Sequence, residues 1–326
     1  MPAPTDLDAR RLDATAVGAA LRRLARVPQA PWLHAEVARR MAQRLEIIKL
    51  QPELVVDWWG SLGAGAELLR SAYPKAQHVA VEPDAAWAQR ARAAQPVQRW
   101  WSPQRWRAAP TLAVLTPQDE LPATAQLVWA NMMLHAVVDP PALFERWQRL
   151  LRVDGFVMFS CLGPGTLGEL RSLYARLGWA APTPGFVDMH DLGDMLVQAG
   201  FADPVMDQET LTLQYDNPQA LLDELRSLGG NTAPDRFAGL RTPRWRARLL
   251  RELEALRGRS GKLEVSFEVA YGHAFRAAPR LRPGEATSIS LDDMRAMVRA
   301  GRSSPHDSRG GEAKACLLYT SDAADE

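Results

Sequence analysis

The chain has 326 residues, 47% of them apolar, and its 39 Lys and Arg almost balance its 38 Asp and Glu, for a net charge of +1. That is enough apolar material for one large or two small cored domains, and a charge so close to zero speaks against bulk nucleic-acid binding. No window approaches the roughly 18 uninterrupted apolar residues of a membrane span, the start MPAPTDLDARRLDATAV lacks the charged-then-apolar order of a signal peptide, and Cys161 and Cys316 sit in no ligand spacing. No metal site and no disulfide framework are therefore read, and the cytoplasm is the expected compartment.

In chain order, residues 1–50 form an N-terminal segment in which Val37, Met41, Leu45 and Ile48 recur at helical spacing and predict one or two helices. From Leu54 to Asp84 the chain reads LVVDWWGSLGAGAELLRSAYPKAQHVAVEPD: an apolar strand ending in Asp57, a turn bearing Gly60, Gly63 and Gly65, an amphipathic run, and a strand ending in Glu82. This is the βαβ pattern of a nucleotide-binding unit. A turn at a strand's C-terminal end lets backbone approach a ligand, and an acid ending the next strand, here 25 positions after Asp57, can accept from ribose hydroxyls. The glycines do not spell G-x-G-x-x-G, and Trp58 and Trp59 stand where the turn should begin. Asp84 is a predicted N-cap. RWWSPQRW (99–106) reads first as an apolar loop under arginine stems, with base stacking the alternative.

Thr111 to Leu115 predicts a short strand, and Ala125 to Met133 a fully buried strand of the parallel-sheet kind. Pro140 and Pro141 open a helix running to Leu151, and Asp154-Gly155 turns the chain into the strand FVMFSC. Such alternation predicts a doubly wound α/β sheet. Two more helices follow in GTLGELRSLYARLGW and HDLGDMLVQAGF; Val205 to Tyr215 alternates as a half-exposed strand; 217–259 is mostly helical, an insertion or lid; and LEVSFEVAYGHAF alternates with Leu263, Val265, Phe267 and Val269 on one face. Two such late strands suggest an antiparallel edge. The main domain is expected over 51–278. Beyond 279 the composition loosens, and 316–326 reads as translated sequencing adapter and is set aside.

On Asp57, Glu82 and the run LVWANMMLHAVVDPPALFERWQRLLRVDGFVMFS, the chain resembles class I S-adenosylmethionine-dependent methyltransferases. AEVARRMAQRLEIIKLQPELVVD, FSCLGPGTLGELR, FVDMHDLGDMLVQAGFADPVMD and VAYGHAF narrow the resemblance to the malonyl-acyl-carrier-protein O-methyltransferases of biotin synthesis, over about residues 30 to 276. It implies a Rossmann-like α/β fold: a mostly parallel seven-stranded sheet with an antiparallel last strand and a helical insertion before it. It also implies S-adenosylmethionine as cofactor. Asp57 would orient the turn, the backbone of Gly60, Gly63 and Gly65 would approach the methionine part, and Glu82 would hold both ribose hydroxyls. Asn131 and Met132 would line the methyl-transfer site, with Leu134 and His135 continuing its wall. The family's turn is D-x-G-x-G-x-G; here Trp59 and Ser61 replace the first two glycines, so Gly63 and Gly65 are expected to supply the close approach. Asp119 and Glu120 are shifted from the place of the acid that contacts the adenine amine.

Methylating a carboxylate that is already ionised needs no triad, only in-line positioning away from water, which can be worth roughly 7 to 11 kcal/mol. A carboxylate held in such a site needs a cation or strong donors. The candidates are Arg171, ranked first, then His135 and Tyr215, with His273 on the last strand; a solvated helix arginine is the rival reading of Arg171. Cys161 reads as a core residue, and His190 as a turn or cap residue before its helix. The segment DRFAGLRTPRWRARLLREL gathers arginines around Trp245, and Arg241, Arg244, Arg246 and Arg248 form a possible dock for an acidic acyl carrier protein, against the rival reading of a solvated face. Two other functions share the pattern. One is an arginine hydroxylase resembling the complex I assembly factor of this fold; the other is a non-catalytic binding relative, which the altered turn favours.

Overall fold

Strands buried on both faces need helices on both sides, and the chain supplies them. The computed structural model describes residues 12–95, 113–121 and 123–278; RWWSPQRW and the segment beyond 278 lie outside the described residues. Seven strands make one sheet: β1 Leu54–Trp58, β2 Gln77–Val81, β3 Ala113–Leu115, β4 Ala125–Ala130, β5 Leu151–Leu162, β6 Phe201–Tyr215 and β7 Leu263–Arg276, in the order β3-β2-β1-β4-β5-β7-β6. β1 to β5 pair in parallel, with Asp57 opposite Ala80 of β2 and Trp129 of β4. Every residue of β1 and β4 is buried, the polar Asp57 and Gln126 included.

β7 is antiparallel to both β5 and β6. It is therefore the penultimate strand and β6 the outermost, so the two late strands form the antiparallel edge that the sequence predicts. The cause of the alternation is visible in the register. Residues 263–268 pair with β6 alone, as an overhanging ribbon covered on one face, and there burial alternates; from Val269 onward β5 pairs on the other side and burial becomes nearly continuous.

The predicted helices form with the caps that the sequence supplies. Asp13 caps α1 (Ala14–Leu24), Asp84 caps α5 (Ala85–Ala94), Asp139 caps α6 (Pro140–Leu150) and Asn217 caps α9 (Pro218–Ser227), each side chain accepting from first-turn amides. α2 (Trp32–Arg44) buries Leu33, Val37 and Met41. α3 (Gly60–Gly63) is a single turn leading to α4 (Ala66–Ala72). α7 (Gly168–Arg176) and α8 (Met189–Gln198) flank the second half, and α9 with α10 (Pro243–Glu254) fills the connection between β6 and β7. Asp188 is the cap of α8, so His190 is the second helical residue, its backbone amide bonded to that cap at 2.8 Å.

Alternate strand residues feed two cores. Val56, Trp58, Val128 and Ala130 join Phe144, Trp147 and Phe159 on one face; Val55, Leu127 and Trp129 join Leu33, Met41 and Phe267 on the other. Trp58 meets Trp147 edge-on at 5.9 Å, so this indole is strand-end packing. Cys161 is buried in the first core, where burial, and then the charge of Glu268, pushes its thiol up to about 12; it is a core residue and no nucleophile. Among the described residues no helix is long and apolar enough to cross a membrane, and no group of three His, Cys, Asp or Glu could hold a metal ion.

Candidate active site

Parallel pairing brings the C-terminal ends of β1 and β2 side by side, and with them Asp57 and Glu82, both buried. Glu82 Oε1 accepts from the Ser61 amide at 3.0 Å and from the Ser61 hydroxyl at 2.7 Å, while Oε2 is buried with no partner among the described residues. Asp57 Oδ1 is likewise buried and unpartnered. Burial, and then repulsion from Glu82, pushes Asp57 up to about 8; burial also raises Glu82. Two lone-pair-bearing oxygens kept from water at neighbouring strand ends are acceptors built for a ligand's donors.

The turn between them departs from the glycine reading. Trp59 lies at φ 56°, ψ 43° and Ala64 at φ 56°, the left-handed region that costs a non-glycine residue about 1–2 kcal/mol. Gly60, Gly63 and Gly65 do not occupy it. A Cβ on Gly60 would stand 2.7 Å from Asp57 Oδ2, one on Gly65 would stand 2.5 Å from Trp129 Nε1, and one on Gly63 would stand 3.3 Å from the Asn131 carbonyl. These glycines make room for the protein's own atoms, Gly65 for the Trp129 indole. The Trp59 side chain is sunk in the first core, and that burial offsets its backbone strain.

Asn131, just past β4, is completely buried. Its amide nitrogen donates to the carbonyls of His34 (2.8 Å) and Gly63 (2.6 Å), its Oδ1 accepts from Ser160 Oγ at 2.7 Å, and the same Oγ accepts from the Met132 amide at 3.1 Å. With these three contacts to the scaffold, Asn131 ties α2, the turn, β4 and β5 together; it is not in the wall of the large cavity. Met132 and His135 are, while Leu134 belongs to the first core.

The cavity they line has a volume of about 790 Å³ and is walled by α1, α7, α9, α10 and the turn residue Leu62. Two histidines reach it, His34 and His135. His34 Nδ1 lies 3.0 Å from the Leu62 carbonyl, which assigns its proton to Nδ1 and leaves Nε2 an acceptor. The Leu162 amide donates to His135 Nδ1 at 3.3 Å, so the proton of this ring sits on Nε2, which becomes a donor. Burial lowers His34 to about 4; burial and then the facing His34 lower His135 to about 3. Both rings are neutral at pH 7.

These two rings make stability depend on pH in a definite sense. A histidine held below its ordinary 6.5 in the fold takes up a proton more readily when unfolded, so its contribution is full above about pH 6.5 and drains as pH falls towards 4, by up to about 1.4 kcal/mol per pH unit for each ring. His78 and His273, also lowered by burial, add in the same direction. Urea unfolding at pH 7 and pH 5 should show the loss, and His135→Gln should make the slope shallower; a slope unchanged by that substitution would remove His135 from the account.

Of the other candidates, neither Arg171 nor Tyr215 reaches the cavity. Arg171 turns its guanidinium back to the carbonyl of Pro164, closing the loop before its own helix. The Tyr215 hydroxyl is buried without a partner, and burial raises it. His273 packs against the Phe275 ring at 6.2 Å. Asp119 accepts from the Thr116 amide and hydroxyl at the end of β3. The residues that sequence reading missed are His34 and Ser160, which carry no local signal and come to the site over long chain separations.

Beside Ser61, the connection from α1 to α2 closes over the turn. Arg90 donates to the carbonyls of Leu24, Ala25 and Val27, and the crevice left between residues 24–31 and Ser61, Leu62, Trp87 and Arg90 is about 10 Å³, room for one water.

A sheet in this order, with acids at the C-terminal ends of β1 and β2 and a large apolar cavity that the intervening turn reaches through Leu62, is the arrangement of a class I methyltransferase. A family profile described as "Methyltransferase domain" matches residues 35–203. Malonyl-[acyl-carrier protein] O-methyltransferases from Gallionella capsiferriformans, Laribacter hongkongensis and Nitrosospira multiformis are 40%, 37% and 36% identical to the chain; the matches cover 79%, 83% and 81% of it and 88%, 89% and 90% of those proteins. The chain belongs to the malonyl-[acyl-carrier protein] O-methyltransferase family. S-adenosylmethionine is the methyl donor of this class, and the residues present fit it: the unpartnered Glu82 Oε2 and Asp57 Oδ1 are acceptors for its hydroxyl and amine donors, and the cavity adjoins the turn.

Proposed function

We propose that this protein transfers a methyl group from S-adenosylmethionine to the free carboxylate of a malonyl group carried on an acyl carrier protein, the step that the resemblance sets in biotin synthesis. The observation that carries the reading is the pairing of a buried, half-satisfied carboxylate at Glu82 with a cavity of about 790 Å³ whose wall includes the neutral donor His135. The matched relatives favour it over the arginine hydroxylase and the non-catalytic binder.

The cofactor supplies an electrophilic methyl on a sulfonium. The protein's part is placement. Glu82 and Asp57 hold donors of the cofactor, and Asn131 keeps the turn fixed against β4. His135 Nε2–H gives a substrate carboxylate oxygen a neutral hydrogen bond, which orients it without the full charge neutralisation of an arginine pair and so leaves the other oxygen nucleophilic. Leu62 and Met132 keep water away.

The carrier would meet the arginine face. Arg241 lies over the Phe237 ring at 3.7 Å and the Trp245 ring at 4.4 Å; Arg248 lies 5.6 Å from the Trp179 ring. Arg241 and Arg246 also line the cavity, and among the described residues none of Arg241, Arg244, Arg246 and Arg248 is ion-paired. Leu240 beside them is 97% exposed. Unneutralised positive charge around an exposed apolar tip suits a strongly acidic partner. Arg244→Glu with Arg248→Glu should raise KM for the carrier-bound substrate about tenfold at low salt and leave a small malonyl thioester unaffected; equal effects on both would sink the dock. The reaction itself is tested by incubating the protein with S-adenosylmethionine and malonyl-loaded carrier and finding the methyl ester by mass spectrometry. Absence of the ester where cofactor binding is measured would refute the substrate.

A further inference from the structure

Ser61 stands where the family's turn has its second glycine, and it spends both its amide and its hydroxyl on one oxygen of Glu82. A carboxylate oxygen offers about two lone-pair sites. Oε1 therefore has its acceptor capacity filled from within the protein, by donors at 3.0 and 2.7 Å, while Oε2, on a residue that is 1% exposed, has no partner. A glycine at 61 could supply the amide but not the hydroxyl. A cis-diol reaching a carboxylate ordinarily sets one hydroxyl on each oxygen. Here the second place is already taken.

We infer that the Ser61 hydroxyl occupies the place of one ribose hydroxyl on Glu82, so that the cofactor binds through a single ribose hydroxyl on Oε2 and Ser61 sets its affinity. The inference rests on the cofactor reading above and goes beyond it, because it assigns to this chain's departure from the glycine pattern a role in choosing what is bound. Two things follow. The site discriminates weakly between a ribose and a ribose lacking the hydroxyl on the Oε1 side, and it binds the parent cofactor less tightly than a site with a bare Glu82 would.

The test is calorimetric binding of S-adenosylhomocysteine and of its 2′-deoxy and 3′-deoxy analogues to the full chain, to Ser61→Ala and to Ser61→Gly. The second variant restores the residue that the family's turn carries and guards against a failure of the first to fold. In the wild type one deoxy analogue should bind within about twofold of the parent and the other about tenfold weaker. In both variants the parent should bind about tenfold tighter, the worth of one hydrogen bond to a charged group, and both analogues should lose about tenfold. If the wild type binds the parent but loses equally with both analogues, both hydroxyls already reach Glu82 and the Ser61 inference falls while the cofactor reading stands. If neither the wild type nor the variants bind the parent, the cofactor reading falls and takes the inference with it.

Discussion

Glu82→Ala is expected to weaken binding of S-adenosylmethionine and S-adenosylhomocysteine by at least about 100-fold in calorimetry, the cost of losing charge-assisted bonds to a buried carboxylate. The same substitution should leave the free protein about as stable as before, or more so. The reason is that Glu82 is costly to the fold: it is buried, one of its oxygens has no partner, and it repels Asp57. Because burial raises Glu82 and Asp57 above their ordinary values, the folded state holds their protons longer than the unfolded chain; their effect on stability is least unfavourable at low pH and worsens as pH rises through their folded values, up to about 8 for Asp57. Removing Glu82 should therefore lift stability at pH 8 more than at pH 6, and lower Asp57 as well. Glu82→Gln keeps an oxygen for Ser61 and loses only the charge, so it should fall between the wild type and alanine in affinity. Unchanged cofactor affinity in the alanine variant would place the ligand elsewhere. Lower stability at every pH would show that the Ser61 contact outweighs the burial cost.

The acids at 57 and 82 were legible in the sequence because a strand's end is fixed by where its apolar run stops, and two parallel strands in register carry their ends to the same level. The order of the late strands was not, since alternation in residues 263–268 reports a ribbon covered on one face and says nothing of the neighbour that β7 gains from Val269 onward. The turn was half legible. Trp59 and Ser61 could be seen to depart from the glycine pattern, but the left-handed backbone at Trp59 goes with burial of its indole in a core whose members come from far along the chain. Arg171 was placed on the right helix, but the direction of its guanidinium was not legible, since it is set by the carbonyl of Pro164 that the folded loop brings to it. His34 and Asn131 meet over 97 positions, and neither residue type announces such a contact.

Asn131→Ala should cost about 3–5 kcal/mol, a large part of the 5–15 kcal/mol by which domains are stable, and lower Tm by about 10 °C. Three bonds are lost, two donated and one accepted, and the Ser160 hydroxyl and the carbonyls of His34 and Gly63 are left without this partner in a site with no water to replace it. Asn131→Asp separates the donors from the acceptor. It keeps an oxygen for Ser160 but turns a second oxygen towards two carbonyls that stood 2.6 and 2.8 Å from a nitrogen, so at pH 7 it should be worse than alanine. Protonated, the same aspartic acid can donate to one of those carbonyls. Its folded pKa is thereby raised, and its stability should recover as pH falls below about 6, a sign opposite to that of the wild type with its buried neutral histidines. Ser160→Ala removes the donor to Asn131 Oδ1 together with one acceptor of the Met132 amide, and should cost about 1–2 kcal/mol, with strong coupling to Asn131 in a double-mutant cycle. Because Asn131 holds Gly63 to α2, cofactor affinity should fall in both Asn131 variants even at temperatures where they stay folded. Equal stability of the alanine and aspartate variants across pH 5 to 8 would mean that the two donated bonds do not hold the turn, and that the site's geometry is kept by packing alone.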